Sequence, residues 1–406
     1  MKEQASEAIA YLRSPQAIRD RCGALFDLAS KDQLEHFRCD LTQLERVADY
    51  VIQVIHEDYP DFQIPFHSRW RHFQVTTHLA HLEQHLSELS PLAKAQAKFD
   101  LVVVSVLLDA GAGAVWQYHE PGTDLVFIRS EGLAVASLQM FCQGFFSSSD
   151  KLQVDAVGLQ KLTEFDLANG FQISDQNPLV GLAGRLQLLH RLGQTMVEHP
   201  QLFGNNPRPG GLVHYLLAQA TNNQLAAETV FRAVLEGLGD IWTGRLQIAK
   251  VNLGDVWRHS AIANSGNFTS GLVPFHKLSQ WLTYSLLEPL QELGLEITEL
   301  NALTGLPEYR NGGLCLDLGL LQPKHSKVLQ QPHSVNSEVI VEWRALTVIS
   351  LDYIAATIRA KLNMNDQELP LVKVLQGGTW SAGRKIAAKL RDGVPPLQIE
   401  SDGTVF

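Results

Sequence analysis

A carboxylate, a phenol and a guanidinium stand side by side at Glu308, Tyr309 and Arg310, directly after Pro307. A glycine pair, Gly312–Gly313, follows shortly afterwards. Because proline and glycine favour turns and close backbone approaches, this segment is predicted to be a shaped loop that holds three polar groups. A helix-capping turn with one surface ion pair is the alternative interpretation.

Charged residues within two apolar segments favour the functional interpretation of that loop. Lys277 begins an apolar helix predicted over 276–293, and Glu342 and Arg344 lie near the start of a helix predicted over 339–362. Charges in such segments are usually paired or functional. A lysine in the first turn is also unfavourable for the helix dipole, so Lys277 predicts an anionic partner.

The segment His67–Phe73 places two arginines and two histidines around Trp70. Guanidinium groups bind phosphate bidentately and tryptophan stacks on flat groups, so His67, Arg69 and Trp70 are candidate residues of an anion pocket. A basic, aromatic helix start at the surface explains the same residues, and the sequence does not choose between the two.

A glycine-rich segment, Gly377–Gly378–Thr379, precedes Trp380. It is predicted to open the last helix as a turn whose free backbone N–H groups bind an anion, with Arg384 one turn further on. A tight packing turn is the alternative.

The segment Asp109–Gly113 resembles a dinucleotide-binding loop only superficially, because the third glycine and a βαβ context are missing. We interpret its glycines as a close approach of the backbone to a ligand or to another helix. Asp109 is then a candidate for orienting a substrate hydroxyl.

Hydrophobic periodicity predicts a mainly α protein with a few short strands. Apolar residues recur at helical spacing over Leu44–Ile55, and the apolar run 99–108 is predicted as a buried helix because a helical pattern precedes it. We expect an N-terminal helical hairpin over 1–60, packed on one compact, mainly helical catalytic domain over 61–406.

Composition excludes several classes of protein. The net charge of −10 argues against a nucleic-acid binder, which needs clustered lysine and arginine, but not against a small anionic substrate. The sequence has no transmembrane run and no signal peptide, so we expect a cytoplasmic protein without a membrane partner. Its 4 cysteines form no CxxC pair, so we expect reduced thiols, no metal and no cofactor.

Part of the chain resembles the queuosine-salvage family of nucleoside 5′-monophosphate N-glycosidases, which are distantly similar to helix-rich DNA glycosylases. That family has a Pro-Phe-Tyr-Lys-x-Ala-Gln helix start, then Leu-Thr, Ala-Asp-Tyr-Arg, Gly-Val-Leu and Glu-Ile-Arg-Ala. The counterparts here, in the same order, are 274–280, Leu303–Thr304, Pro307–Arg310, Gly319–Leu321 and Glu342–Ala345. Glu308 stands where the family has its catalytic Asp, which moves the carboxylate by one methylene.

Nearly the full length resembles a second family, the fungal and bacterial uracil-catabolism family formed by the fourth protein of the URC route. The blocks that carry this resemblance are His67–Phe73, Leu108–Gly113, Arg129–Ala134, Gly254–His259, Gly377–Arg384 and Ser401–Phe406. The two resemblances together imply a helix-rich hydrolase that cleaves the N-glycosidic bond of a ribosyl ureido compound, or of its 5′-phosphate, derived from uracil.

The implied transition state is oxocarbenium-like, so a carboxylate is needed to stabilise positive charge and to activate water or attack C1. Glu308 is the first candidate for this role, and Asp402 or Asp109 is the candidate for a second carboxylate that binds ribose hydroxyls. Lys277, Tyr309 and Arg310 are expected to bind the 5′-phosphate or to orient Glu308.

Further candidate substrate-binding residues come from the blocks already described. They are His67, Arg69, Trp70, Arg344, Trp380 and Arg384, and the planar ureido group is expected to face Trp380, Trp70 or Trp116. No residue is marked by sequence for protonating the nitrogen leaving group.

Other functions explain part of the same pattern. A non-catalytic subunit that channels an intermediate between uracil-catabolism enzymes would tolerate substitution of the carboxylates, and association with such enzymes is expected in either case. A nucleotide N-glycosidase with another base also remains open. The acidic charge disfavours a DNA-repair glycosylase, and an amidohydrolase would need a metal cluster or a nucleophile elbow that the sequence lacks.

Overall fold

A computed structural model describes residues 2–113, 115–149, 151–264 and 267–400 of the chain. Over these residues helices dominate and the strands are short, which confirms the predicted mainly α fold. The helices are α1 (Lys2–Leu12), α2 (Pro15–Ser30), α3 (Leu44–Asp58), α4 (Trp70–Phe73), α5 (His78–Leu86), α6 (Pro91–Leu107), α7 (Arg129–Cys142), α8 (Ala156–Lys161), α9 (Glu164–Gly170), α10 (Leu182–Glu198), α11 (Pro200–Phe203), α12 (Leu212–Gln219), α13 (Ala227–Leu238), α14 (Lys277–Glu292), α15 (Tyr309–Asp317), α16 (Lys327–Gln330), α17 (Glu338–Leu362), α18 (Leu371–Lys373) and α19 (Trp380–Arg391).

The strands form two-stranded pairs. They are β1 (Phe37–Cys39), β2 (Gln117–His119), β3 (Val126–Ile128), β4 (Gln224–Ala226), β5 (Gln247–Ile248), β6 (Val251–Asn252), β7 (Val256–Arg258), β8 (Leu272–Pro274), β9 (Glu296–Thr298), β10 (Leu321–Pro323), β11 (Pro332–Ser334) and β12 (Gln398–Glu400). The pairs β1–β10, β2–β3, β5–β6 and β7–β8 are antiparallel, while β4–β9 and β11–β12 are parallel.

The chain divides into two compact units. The first contains the residues up to His67 together with Gly244–Gln280 and Glu299–Glu400, and the second contains Ser68–Thr243 and Trp281–Thr298. The predicted hairpin over 1–60 and the predicted domain over 61–406 stay predictions, because compactness alone does not show that a part of a chain folds independently.

Helix α17 is the central helix of the first unit and packs on α2, α3 and α15. Ser337 caps its N-terminus, and its side chains are buried on most sides between Val339 and Ile358. A helix that is apolar nearly all round is expected to be enclosed by other elements. The predicted helix over 339–362 is therefore confirmed, and Glu342 and Arg344 lie on its buried part.

Helices α15 and α19 pack so closely that their backbones nearly touch. A Cβ atom at Gly383 would lie 2.2 Å from the carbonyl oxygen of Arg310. Only glycine fits such a contact without a shift of one helix. This packing brings the side chains of Arg310 and Trp380 together.

The segment Val374–Thr379 is π-helical and joins α18 to α19. The N–H of Trp380 donates to the carbonyl oxygen of Leu375, five residues earlier. The predicted turn at 377–379 is therefore wrong, because the helix begins before the glycines and continues through them. The glycines are needed for packing instead, since a Cβ atom at Gly378 would lie 2.7 Å from the Val51 side chain.

Helix α6 has the same central place in the second unit, where it packs on α7 and α12. Its residues from Phe99 to Leu107 are all buried, which confirms the helix predicted from the apolar run 99–108. Among the described residues, no helix combines the length and the apolar character needed to cross a membrane.

We predict opposite effects for two glycine substitutions in helices. Gly383→Ala is expected to destabilise the protein by about 1–3 kcal/mol, because the new methyl group overpacks the α15–α19 contact. Gly23→Ala is the matched control: Gly23 lies within α2, and a Cβ atom there meets nothing within 4 Å. It is expected to stabilise by about 0.5–1 kcal/mol through helix propensity. Urea unfolding measures the change in unfolding free energy for both variants. Changes of the same sign in the two variants would contradict the packing argument.

Candidate functional site

The loop 303–308 is buried throughout, and side-chain hydrogen bonds hold its backbone. The Arg19 guanidinium donates to the carbonyl oxygen of Leu303 over 2.7 Å. The Gln280 amide binds Thr304 twice, accepting from its N–H over 2.9 Å and donating to its hydroxyl. A buried loop with each of these groups paired is preorganised, so the residue that follows it has a fixed position.

Glu308 is the N-cap residue of α15, and its carboxylate accepts from two backbone N–H groups. Oε1 accepts from Asn311 over 2.6 Å, and Oε2 accepts from Arg310 over 2.8 Å. Burial raises the pKa of Glu308, against the lowering effects of the Arg310 charge, the two N–H groups and the Lys277 charge. Helix N-caps are normally Ser, Thr, Asp or Asn, so capping alone does not explain a glutamate here.

Arg310 lies between two aromatic rings. Its guanidinium carbon is 4.3 Å from the ring centroid of Trp380 and 5.4 Å from that of Tyr309, whose hydroxyl accepts from Arg310 Nε over 3.1 Å. The guanidinium carbon of Arg384 is 5.9 Å from the same Trp380 centroid. Two guanidinium groups therefore converge on one half-buried tryptophan, and one of them, that of Arg310, also acts electrostatically on the fixed carboxylate of Glu308.

His67 contacts the same tryptophan, with ring centroids 5.6 Å apart. Its Nδ1 is 2.9 Å from Oε1 of Gln376, and both side chains are buried. The structure thus joins the predicted site residues Glu308, Arg310, Trp380 and His67 through successive contacts.

Asp255 fixes the start of α14. Its carboxylate accepts from both terminal guanidinium nitrogens of Arg344, over 2.8 and 2.7 Å, and from the backbone N–H of Lys277 over 3.0 Å. Although burial raises its pKa, the Arg344 charge and these hydrogen bonds, with one from Trp257, hold the pKa of Asp255 well below its usual range. Arg344 therefore has a structural partner, and its predicted contact with substrate stays a prediction.

His276 immediately precedes Lys277 and has a φ of +47°, a left-handed conformation that is costly for a residue with a Cβ atom. Its Nε2 lies 2.9 Å from the carbonyl oxygen of Leu12, which can only accept, so Nε2 carries the proton. Burial lowers the pKa of His276 to about 4, against smaller upward effects of the Leu12 hydrogen bond and the Asp255 charge. The ring is thus neutral near pH 7.

Glu342 is fully buried and has a structural role in α17. Its Oε2 accepts from the backbone N–H groups of His36 and Phe37, and its Oε1 lies 3.3 Å from His259 Nε2. The Nδ1 of His259 accepts from the N–H of Ala261, so the proton is on Nε2 and donates to Glu342.

The remaining predicted residues that the structure describes lie in the second unit. Arg69 donates to Ser105 Oγ over 2.8 Å through Nε and to Asp109 over 2.6 Å through Nη1. Its Nη2 donates to the carbonyl oxygen of Ser105, and Asp109 also accepts from the Ser130 hydroxyl over 2.7 Å. Each guanidinium nitrogen therefore has a protein partner, and the predicted roles of Arg69 and Asp109 towards substrate stay predictions.

Two of the three predicted ureido-facing tryptophans are buried and anchored. Trp70 Nε1 donates to the Ser285 carbonyl oxygen and Trp116 Nε1 to that of Phe171, each over 2.9 Å. Trp380 is only half-buried, which makes it the tryptophan of the three best placed to meet a ligand. Asp402 lies outside the described residues.

Sequence reasoning missed Gln376 as a partner of His67 and Asp255 as the partner of Arg344. A signal existed for Asp255, because it lies two residues before Trp257 in Gly254–His259, a segment already quoted for the resemblance to the uracil-catabolism family. Gln376 gave no signal, since it precedes glycines that were interpreted as a turn. Over the described residues, no group of three or more His, Cys, Asp or Glu side chains is arranged to hold a metal ion.

Comparison with known proteins identifies relatives over nearly the whole chain. A family model described as "Protein of unknown function (DUF1688)" matches residues 11–406. "Uracil catabolism protein 4" of Lachancea kluyveri is 38% identical over 438 residues, covering 98% of this chain and 99% of that protein. "Protein urg3" of Schizosaccharomyces pombe is 39% identical over 416 residues, covering 99% of this chain and 100% of that protein. The resemblance to the uracil-catabolism family is confirmed.

We predict that His276→Gln weakens the pH dependence of stability. The folded pKa of about 4 lies below the ordinary histidine value of 6.5, so the neutral ring stabilises the fold above pH 6.5 and this contribution is lost as the pH falls towards 4. Between pH 7.5 and 5.0 the wild type should lose about 2 kcal/mol more unfolding free energy than the variant. Denaturant unfolding measures this, with the interval from pH 7.5 to 9.0 as the control. If the wild type and the variant lost the same unfolding free energy between pH 7.5 and 5.0, the prediction would be contradicted.

Proposed function

Since the chain belongs to the DUF1688 family, we propose that it is a protein of uracil catabolism that hydrolyses an N-glycosidic bond. Its proposed substrate is a ribosyl ureido compound derived from uracil, in the free or 5′-phosphorylated form. The proposed reaction type rests on one observation. Two backbone N–H groups hold the carboxylate of Glu308, and the guanidinium group of the nearby Arg310 stacks on Trp380. The uracil route itself is supported by the name of the Lachancea kluyveri relative, "Uracil catabolism protein 4".

The reaction replaces the bond from C1 of ribose to the ureido nitrogen by a bond from C1 to a water oxygen. One water proton goes to a base, and the departing nitrogen takes up a proton. As the C–N bond breaks, positive charge develops on the sugar ring, and a fixed carboxylate nearby stabilises it. Glu308 suits this role because its hydrogen bonds restrict its position before substrate binds.

Binding of an anionic sugar is assigned to three cations, Arg310, Lys277 and Arg384. Arg310 and Lys277 both act electrostatically on its carboxylate, and Arg384 shares the Trp380 ring with Arg310. Guanidinium groups bind phosphate oxygens in pairs, so this set suits a 5′-phosphate. The exposed part of Trp380 then offers a flat surface for the ureido group.

The second carboxylate is assigned to the ribose hydroxyls, with Asp402 and Asp109 as candidates. Association with other uracil-catabolism enzymes and a cytoplasmic location belong to the same proposal.

Glu308→Gln is predicted to lower the rate of sugar release roughly 10²–10⁴-fold, because the amide neither balances developing positive charge nor takes a proton. Purified protein is offered ribosylurea, its 5′-phosphate, uridine 5′-monophosphate and queuosine 5′-phosphate without added metal, and free sugar is measured. The substrate that releases sugar with the wild type identifies the leaving group.

Glu308→Asp is the matched control for this experiment. Aspartate is a favourable N-cap residue, so this variant should keep the helix start and the charge while withdrawing the carboxylate by one methylene. Its stability should match the wild type, whereas Glu308→Gln should lose about 1 kcal/mol through the weaker cap. Sugar release that survives Glu308→Gln would remove Glu308 from the reaction. Tight binding of one compound without release would identify a carrier instead of a hydrolase.

A further inference from the structure

Helix α5 in the second unit carries its histidines along one side. His78, His81 and His85 are three and four residues apart, so their side chains leave the helix within about 60° of one another. The rings of His78 and His81 have centroids 6.0 Å apart. His81 and His85 are exposed to solvent, beside a buried stripe that Leu82 and Leu86 form. The exposed nitrogens of this row are therefore within reach of a small ligand.

The ring of His85 has a defined tautomer and a defined orientation. Its Nδ1 is 2.7 Å from the carbonyl oxygen of His81, which can only accept, so Nδ1 carries the proton. In the neutral ring Nε2 therefore has the lone pair. The same hydrogen bond holds the ring over the helical turn that starts at His81. Histidines that bind metal ions usually donate their other N–H to a carbonyl or carboxylate in this way.

His81 supplies a second imidazole at the spacing that chelation needs. Residues four apart on a helix have Cβ atoms about 5–6 Å apart. Two histidines at this spacing bind one Zn²⁺ ion in the His-Glu-x-x-His helices of metalloproteases. Among the described residues, neither ring nitrogen of His81 has a hydrogen-bond partner, so its exposed ring can rotate towards His85 without breaking a hydrogen bond.

His78 is directed towards a carboxylate instead. Its Nε2 lies 3.3 Å from Oε1 of the buried Glu120, at ion-pair distance but without the alignment of a hydrogen bond. His78 is also less exposed than the other two histidines. The row thus offers one chelating pair, His81 and His85, and water has to complete the coordination of an ion bound there.

We propose that His81 and His85 form a surface site for a divalent transition-metal ion of the class that prefers imidazole, such as Zn²⁺, Ni²⁺ or Cu²⁺. The ion joins two successive turns of α5. The site uses none of the residues assigned to hydrolysis, so it does not depend on the proposed function.

Isothermal titration calorimetry of the full chain without a histidine tag, at pH 7.5 and with Zn²⁺ as the probe, tests the site. His81→Gln and His85→Gln are each expected to weaken binding roughly 10²-fold, because one imidazole is left where two acted together. Both positions are exposed and glutamine is a good helix former, so the variants should fold, which circular dichroism checks. His214→Gln is the matched control, since His214 is an exposed histidine of α12 with no histidine three or four residues away.

The choice of ion is a second, independent measurement. Cu²⁺ should bind more tightly than Ni²⁺ or Zn²⁺, as expected for nitrogen ligands. Mg²⁺ should not displace Zn²⁺, because it prefers oxygen ligands. The proposal is overturned if the wild type binds Zn²⁺ no more tightly than His85→Gln, or if His214→Gln loses as much affinity. Displacement of Zn²⁺ by Mg²⁺ would also overturn it, since the ligands would then be carboxylates.

Discussion

The buried ion pair between Asp255 and Arg344 is the interaction on which the geometry of the first unit depends. One carboxylate receives donors from three places in the chain: the side chain on α17, the backbone at the start of α14, and the indole of Trp257 in β7. Taking two charges out of water is costly, and removing one partner of such a pair leaves an uncompensated buried charge. The three elements are therefore held in one arrangement.

The position of Glu308 follows from this arrangement in two steps. Because Asp255 fixes the first turn of α14, Gln280 in the next turn has a defined position, and its amide binds Thr304. The loop from Thr304 then ends at Glu308, whose carboxylate closes onto the first N–H groups of α15. A change in the buried pair would reach the candidate site through a continuous set of hydrogen bonds.

The sequence predicted the long helices well and their interactions poorly. The buried helices α6 and α17 have apolar residues over most of their length, and such runs indicate helix type and burial directly. The π-helical segment could not be predicted, because its glycines favour a turn locally and only packing against α3 makes them helical. Arg344 was assigned to substrate for a similar reason: its partner, Asp255, lies far away in the sequence.

The candidate site itself was predicted in part. The order of segments around Glu308 indicated that Lys277, Arg310 and a carboxylate belong together, and the Lys277 and Arg310 charges both act on Glu308 in the structure. The residue types of Arg69 and Asp109 suggested substrate binding just as strongly. In the structure, however, these two side chains form an ion pair with each other in the second unit. Residue type alone does not separate a cation that binds a ligand from one whose donors the fold already uses.

An anionic substrate would also change the chemistry of Glu308. In the free protein the positive charges of Arg310 and Lys277 lower its pKa, which opposes the raising effect of burial. A phosphate bound to those cations would neutralise part of their field, and the pKa of Glu308 would rise further. A carboxylate with a higher pKa takes a proton from water more readily, so occupation of the phosphate site would itself strengthen the proposed base. The same cations would in this way link recognition of the sugar phosphate to activation of the carboxylate.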